Sequence, residues 1–106
     1  MAKLRIVNQR LVGNAMEPRA VLAVPDGPGG HVTLNMGSQN PSTVKTIISG
    51  AIFGFPDTEL RVLVEDIGGG FGLKANPYVE DALAVYAARK LGRPVKWRAD
   101  RGEEFV

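Results

Sequence analysis

Two stretches, residues 4–12 and 20–24, carry Val, Ile, Leu and Arg in partial alternation, the period of two that points successive side chains to opposite faces of a strand. Residues 13–19 read as the connection between them. Pro25, Asp26, Gly27, Pro28, Gly29 and Gly30 form a dense cluster of turn residues, which predicts a hairpin between residues 20–24 and a third strand at 31–36. Asn40 and Pro41 then give a helix start: a capping side chain, followed by a proline whose missing N–H costs nothing at the first helical position. That helix places Val44, Ile47, Ile48, Ala51 and Ile52 on one face and ends at Gly54 and Pro56. Residues 60–65 return as a strand with Leu60, Val62 and Val64 on one side.

Asn76 and Pro77 open a second helix with the same capping chemistry. Glu80 and Asp81 lie near its positive end, Arg89 and Lys90 near its negative end, and Gly92 and Pro94 stop it. Val79, Leu83, Tyr86 and Leu91 are its expected buried stripe. The chain closes on a strand in which Val95, Trp97 and Ala99 alternate with Lys96 and Arg98. The order is β-β-β-α-β-α-β, an α+β fold in which a mixed sheet carries two helices. Its first half is antiparallel, and the strand, helix and strand of the second half favour a parallel pair with a right-handed crossover. Residues 1–106 make a single domain, a length at which one compact core is the rule.

Composition narrows the function classes. Hydrophobic residues at 44% and charged residues at 23% exclude a disordered chain. No apolar run approaches the roughly 18 residues of a membrane helix. The basic residues 1–5 lead into no apolar stretch of signal type, so no membrane partner is expected and the expected compartment is the cytoplasm. The net charge of +2 comes from 13 basic and 11 acidic residues scattered along the sequence, unlike the clustered stripe that nucleic acid requires. Without cysteine the chain holds no disulfide, thiolate zinc site or iron–sulfur ligand. A lone His31 cannot make a metal site, which needs several converging ligands.

The least ordinary segment is Gly68-Gly69-Gly70-Phe71-Gly72. Three successive glycines lose more backbone entropy than any other triplet and gain no packing, so something must approach that backbone closely. A glycine loop between a strand and a helix offers N–H groups to phosphate, pterin or oxo acceptors. A tight turn or close packing of the loop on a strand would use the same glycines. The spacing is neither that of a Walker loop nor of a dinucleotide fingerprint.

With Lys74, this loop resembles the GGGFGxK motif of the molybdenum hydroxylases, the family of xanthine dehydrogenase, aldehyde oxidase and carbon monoxide dehydrogenase. Asn8-Gln9-Arg10, Met16-Glu17-Pro18-Arg19-Ala20 and Gly37-Ser38-Gln39-Asn40-Pro41 resemble segments of the same large subunit. Glu80-Asp81-Ala82-Leu83, Leu91-Gly92-Arg93-Pro94-Val95-Lys96-Trp97, and Asp100-Arg101 with Glu104-Phe105 continue in the family's order. The departures are Gly13, where proline is common, and Pro77-Tyr78-Val79-Glu80, where the family runs Tyr-Pro-Glu.

The resemblance implies a fragment of a molybdopterin-binding large subunit, from an oxidoreductase that hydroxylates aldehydes or heterocycles. It gives Gln39 the role of hydrogen-bonding an oxo ligand of the molybdenum, and Gly69, Gly70, Phe71 and Gly72 the wall at the metal end of the cofactor. The alternative role of Gln39 is local capping of the helix at Pro41, and that of Phe71 is an ordinary core aromatic. No residue matches the family's catalytic glutamate, so no catalytic residue is assigned. Glu17 and Arg19, flanking Pro18, read as structural charges, and Trp97 as a core residue. The implied cofactor is molybdenum with molybdopterin in the parent enzyme, with none expected on the isolated chain. The implied partners are the remainder of the large subunit and iron–sulfur and flavin subunits or domains. Bare surfaces also favour self-association. The alternative is a stand-alone folding or binding module, or a gene fragment, without catalysis.

Overall fold

The computed structural model describes residues 1–105. Four strands form one sheet: β1 (Ala20–Pro25), β2 (Val32–Met36), β3 (Leu60–Leu63) and β4 (Val95–Arg98), in the spatial order β3-β2-β1-β4. The hairpin of β1 and β2 is antiparallel with Ala23 opposite Leu34, and the turn is closed by Asp26 N–H donating to the His31 carbonyl at 2.8 Å. The expected α+β class and mixed sheet with two helices are those observed.

The first of these helices, α1 (Pro41–Thr46), is capped by the Asn40 side chain, which accepts from the Thr43 amide at 3.2 Å. It runs directly into a π-helical segment, Ile47–Phe53, closed by Gly54 in the left-handed conformation at φ 68°. The switch to i→i+5 hydrogen bonding changes which residues share a face. Ile48 and Phe53, five apart, both turn to the core, while Ile52 is left half exposed and Ala51 exposed, against the α-helical expectation.

The parallel pair is not where the second half of the sequence suggested. β2 and β3, joined through α1, are the parallel neighbours, with Leu34 opposite Val62. Helix α2 (Val79–Leu91) instead crosses behind the sheet, packing on β1, β2 and β4, and delivers β4 to the far edge. There β4 pairs antiparallel with β1, Val21 opposite Trp97. The expected strand at residues 4–12 is absent: Leu4, Ile6, Val7, Leu11 and Val12 are all exposed in extended chain. Alternation gives a segment one apolar face, but a strand also needs a ladder partner, and here none of the sheet reaches it.

Both helices lie on one face of the sheet. Val21, Ala23, Val32, Leu34 and Leu60 project from the strands to meet Val44 of α1, Ile48 of the π-helical segment and Ala84, Val85 and Ala88 of α2. The buried stripe of α2 is therefore Asp81, Ala82, Ala84, Val85 and Ala88, and the expected stripe of Val79, Leu83, Tyr86 and Leu91 faces outward. Three alanines let the helix axis approach the strands closely, a packing that larger side chains would prevent. Trp97 packs against this core from β4, as expected.

Candidate functional site

The glycine loop leaves the sheet after β3 and returns to α2 through Lys74, Asn76 and Pro77. Three segments meet it: residues 15–17 ahead of β1, residues 37–39 after β2, and Lys74 itself. The Gln39 side-chain oxygen accepts from the Gly72 amide at 2.9 Å and from the Lys74 amide at 3.3 Å. The Gln39 amide donates to the Lys74 carbonyl at 2.8 Å, and the Ser38 hydroxyl reaches the same carbonyl at 3.4 Å. With its oxygen facing two N–H groups, the exposed Gln39 side chain turns its Nε2 hydrogens the other way. Gln39 does not cap α1, whose cap is Asn40.

Two different constraints select the glycines. A Cβ on Gly70 would lie 2.6 Å from Cδ and Oε1 of Gln39, and one on Gly68 would lie 2.5 Å from Cβ of Glu17. Something does approach this backbone closely, as its glycines require, and it is the chain's own side chains. Gly69 and Gly72 are selected by backbone conformation, at φ 104° and 85°. A Cβ on Gly72 would meet nothing within 4 Å, so this part of the loop fronts open space.

Phe71 is the one non-glycine residue with positive φ among the described residues, at 52°, and its side chain is 73% exposed. It is not a core aromatic. A left-handed phenylalanine costs about 1–2 kcal/mol, and backbone strain of this sort clusters at ligand sites. The Phe71 carbonyl and Cβ also explain Gly13, where a Cβ would come within 2.8 Å and 3.1 Å of them. The amides of Gly69, Gly70 and Phe71 donate to no acceptor among the described residues. Unspent N–H donors, a side-chain amide turned outward and an exposed ring suit a large ligand rich in hydrogen-bond acceptors, as an oxo-metal pterin is.

Glu17 and Arg19 do not pair with each other. Lys74 Nζ, fully buried, binds Glu17 Oε1 at 2.9 Å. That hydrogen bond, with the lysine's charge, holds the Glu17 carboxyl below its ordinary value. Arg19 is buried against Glu104, with Nε 3.4 Å from Oε1, and its guanidinium lies 3.6 Å from the Tyr78 ring centre. Asp81 caps α2 by accepting from the Tyr78 amide at 2.8 Å, and burial raises its carboxyl pKa. The sequence reading assigned no role to Glu17 or Lys74 in the site. Their signal was present as Gly37 and Gly68, which leave room for the pair.

No group of three metal-ligating side chains occurs among the described residues. Hollows of about 540 and 450 Å³ lie on the helix layer, the second lined by Ile52, Phe53, Val79, Ala82, Leu83 and Tyr86.

The family description "Molybdopterin cofactor-binding domain" matches residues 2–106. The gamma subunit of the 6-hydroxypseudooxynicotine dehydrogenase complex of Paenarthrobacter nicotinovorans is 36% identical over 102 residues, covering 96% of this chain and 13% of that protein. The carbon monoxide dehydrogenase large chain of Hydrogenophaga pseudoflava is 43% identical over 76 residues, covering 72% of this chain and 9% of that protein. Among solved structures, quinoline 2-oxidoreductase from Pseudomonas putida 86 superposes with a TM-score of 0.80 at 37% identity, covering 87% of this chain and 12% of that one. The chain thus spans about an eighth or less of the relatives it matches. With the match running nearly end to end, this chain belongs to the molybdopterin cofactor-binding domain family of the molybdenum hydroxylases.

Proposed function

We propose that the chain supplies one wall of a molybdenum cofactor pocket in an oxidoreductase that hydroxylates aldehydes or heterocycles. The observation that carries this reading is the Gln39 amide, tied through its oxygen to two loop N–H groups and turned outward beside the exposed Phe71. When bound, the cofactor supplies the oxygen-transfer and redox chemistry. The chain's part is to bind and orient. Gly69, Gly70 and Phe71 aim amide dipoles at the metal end, where fixed donors stabilise oxygen-centred charge without reorganising. With the cofactor bound, Gln39 Nε2 would donate to its oxygen acceptors, the Phe71 ring would wall the cavity beside it, and Gly72 leaves the space that a side chain would fill. No carboxylate here takes the role of base.

The partners in this reading are the remainder of a large subunit, which covers the apolar face of α2, and iron–sulfur and flavin subunits or domains that carry electrons away. On its own the chain neither retains the cofactor nor turns over, because one loop and one glutamine cannot enclose a ligand of that size. With its apolar face bare, the isolated chain self-associates.

The test is a chimaera in which this chain replaces the matching segment of the Hydrogenophaga large chain. The chimaera is expected to load molybdenum. Gly72→Val should lower metal content, and Gln39→Ala should slow turnover more than it lowers content. Full occupancy and normal rate in the Gly72 variant would remove the loop from this account.

A further inference from the structure

We infer that Glu17 and Lys74 are positioning residues, an internal strut that sets the shape of the glycine loop and the direction of the Gln39 amide. Their importance for function rests on the cofactor reading above, while the strut itself does not.

Glu17 grips the loop at its entry. Its Oε2 accepts from the Gly68 amide at 3.0 Å, and its own amide donates to the Gly68 carbonyl at 3.3 Å, so one residue holds both polar groups of Gly68. The other carboxylate oxygen binds the buried Lys74 ammonium at the loop's exit, at 2.9 Å. The strut therefore spans the loop from first residue to last. The Lys74 backbone in turn brackets Gln39, donating to its side-chain oxygen and accepting from its amide. Moving Lys74 moves the N–H donor that holds the Gln39 side-chain oxygen, and with it the direction of Nε2.

Two glycines outside the loop's own turn geometry support a built arrangement. A Cβ on Gly37 would lie 3.1 Å from Glu17 Oε1 and 3.4 Å from Lys74 Nζ, and one on Gly68 would strike Glu17 Cβ. Neither glycine has positive φ, so close approach is what favours them: at Gly68 to Glu17 Cβ, and at Gly37 to the strut and to Ile67 Cγ2 at 3.3 Å. A buried ammonium with one carboxylate partner is also not a casual contact. Desolvation disfavours it unless it is paired, and among the described residues its partner is the group that holds Gly68.

The experiment is residue-resolved amide exchange and NMR on this chain, comparing wild type with Glu17→Gln and with the double variant Glu17→Gln/Lys74→Met. The double variant removes both charges, so it keeps the test alive if the single one, with an unpaired buried lysine, does not fold. Exchange at Gly68, whose amide donates to the carboxylate, should accelerate about tenfold, the factor a charge-assisted hydrogen bond is worth, and exchange at Gly72 and Lys74 should rise with it as the hold on Gln39 loosens. The Gln39 side-chain amide resonance should shift toward its free value, while Ala23 and Leu34 in the sheet keep their protection. Unchanged loop amides, or acceleration spread evenly over sheet and loop, would overturn the assignment. Molybdenum content of the unsubstituted chimaera is a separate readout. A metal-free chimaera alongside a loosened loop in the variants would sink the cofactor reading and leave the strut standing.

Discussion

Gly70→Ala discriminates between a glycine kept for a ligand and one kept for a neighbouring side chain. The new Cβ would sit 2.6 Å from Cδ and Oε1 of Gln39 and 2.8 Å from its Cγ. Gln39 is exposed, so it can swing away, and it then abandons the Gly72 and Lys74 amides. At about 0.5–1.5 kcal/mol net per hydrogen bond, the substitution should cost about 1–2 kcal/mol. Gln39→Ala loses the same two bonds and should cost a similar amount. The double variant has no side chain left to strike, so it should cost no more than Gln39→Ala alone. It should recover about a few tenths of a kcal/mol more, since alanine at a permissive backbone position restricts the unfolded chain. The cycle therefore predicts a coupling of about 1–2 kcal/mol, read from urea midpoints at constant m-value. Additive costs would refute the claim that Gln39 is what Gly70 makes room for.

Three further outcomes are expected. Because the Glu17 carboxyl is held below its ordinary 4.5 by Lys74, its contribution to stability is whole above about pH 4.5 and is lost as pH falls through the folded value. The stability difference between wild type and Glu17→Gln, measured by urea unfolding across the acid range, should therefore shrink on acidification; a constant difference would count against the ion pair. Val85→Ala, at a fully buried position, should cost about 2 kcal/mol, whereas Leu83→Ala, 57% exposed on the same helix, should change the midpoint by less than about 0.5 kcal/mol. Deleting residues 1–12 should leave the melting temperature within a few degrees of wild type, because they pair with no strand; a large drop in calorimetry would show a contact the extended chain does not reveal.

Local signals were legible in part: Asn76 and Pro77 do not open α2, which begins at Val79 behind Tyr78, with Asp81 accepting from the Tyr78 amide. Asn40 capped the helix it was expected to cap, and the turn cluster at residues 25–30 closed the expected hairpin. The face of α2 was misread because hydrophobicity ranks Leu83 and Tyr86 above Ala82, Ala84 and Ala88, whereas close approach to a sheet favours the smaller residues. The strand at residues 4–12 was misread because alternation does not identify a pairing partner. Gln39, Phe71 and the glycines are expected at the site only through their resemblance to a family motif. Glu17 and Lys74 were not assigned to it because their pairing spans 57 residues and depends on the sheet that brings them together.

The distances along the chain between these contacts bear on how the molecule reaches its native state. Glu17 must find Gly68 and Lys74 across 51 and 57 residues, and Arg19 must find Glu104 across 85. Helices and the hairpin close over a few residues and form within microseconds, but closures of this span carry the larger entropic cost and come later. During synthesis, residue 74 must emerge before the loop can be held at both ends, and residue 104 before Arg19 has its carboxylate. Loop geometry is thus acquired through long-range contacts and not local ones, and a chain arrested before residue 74 would carry every glycine of the motif without its shape.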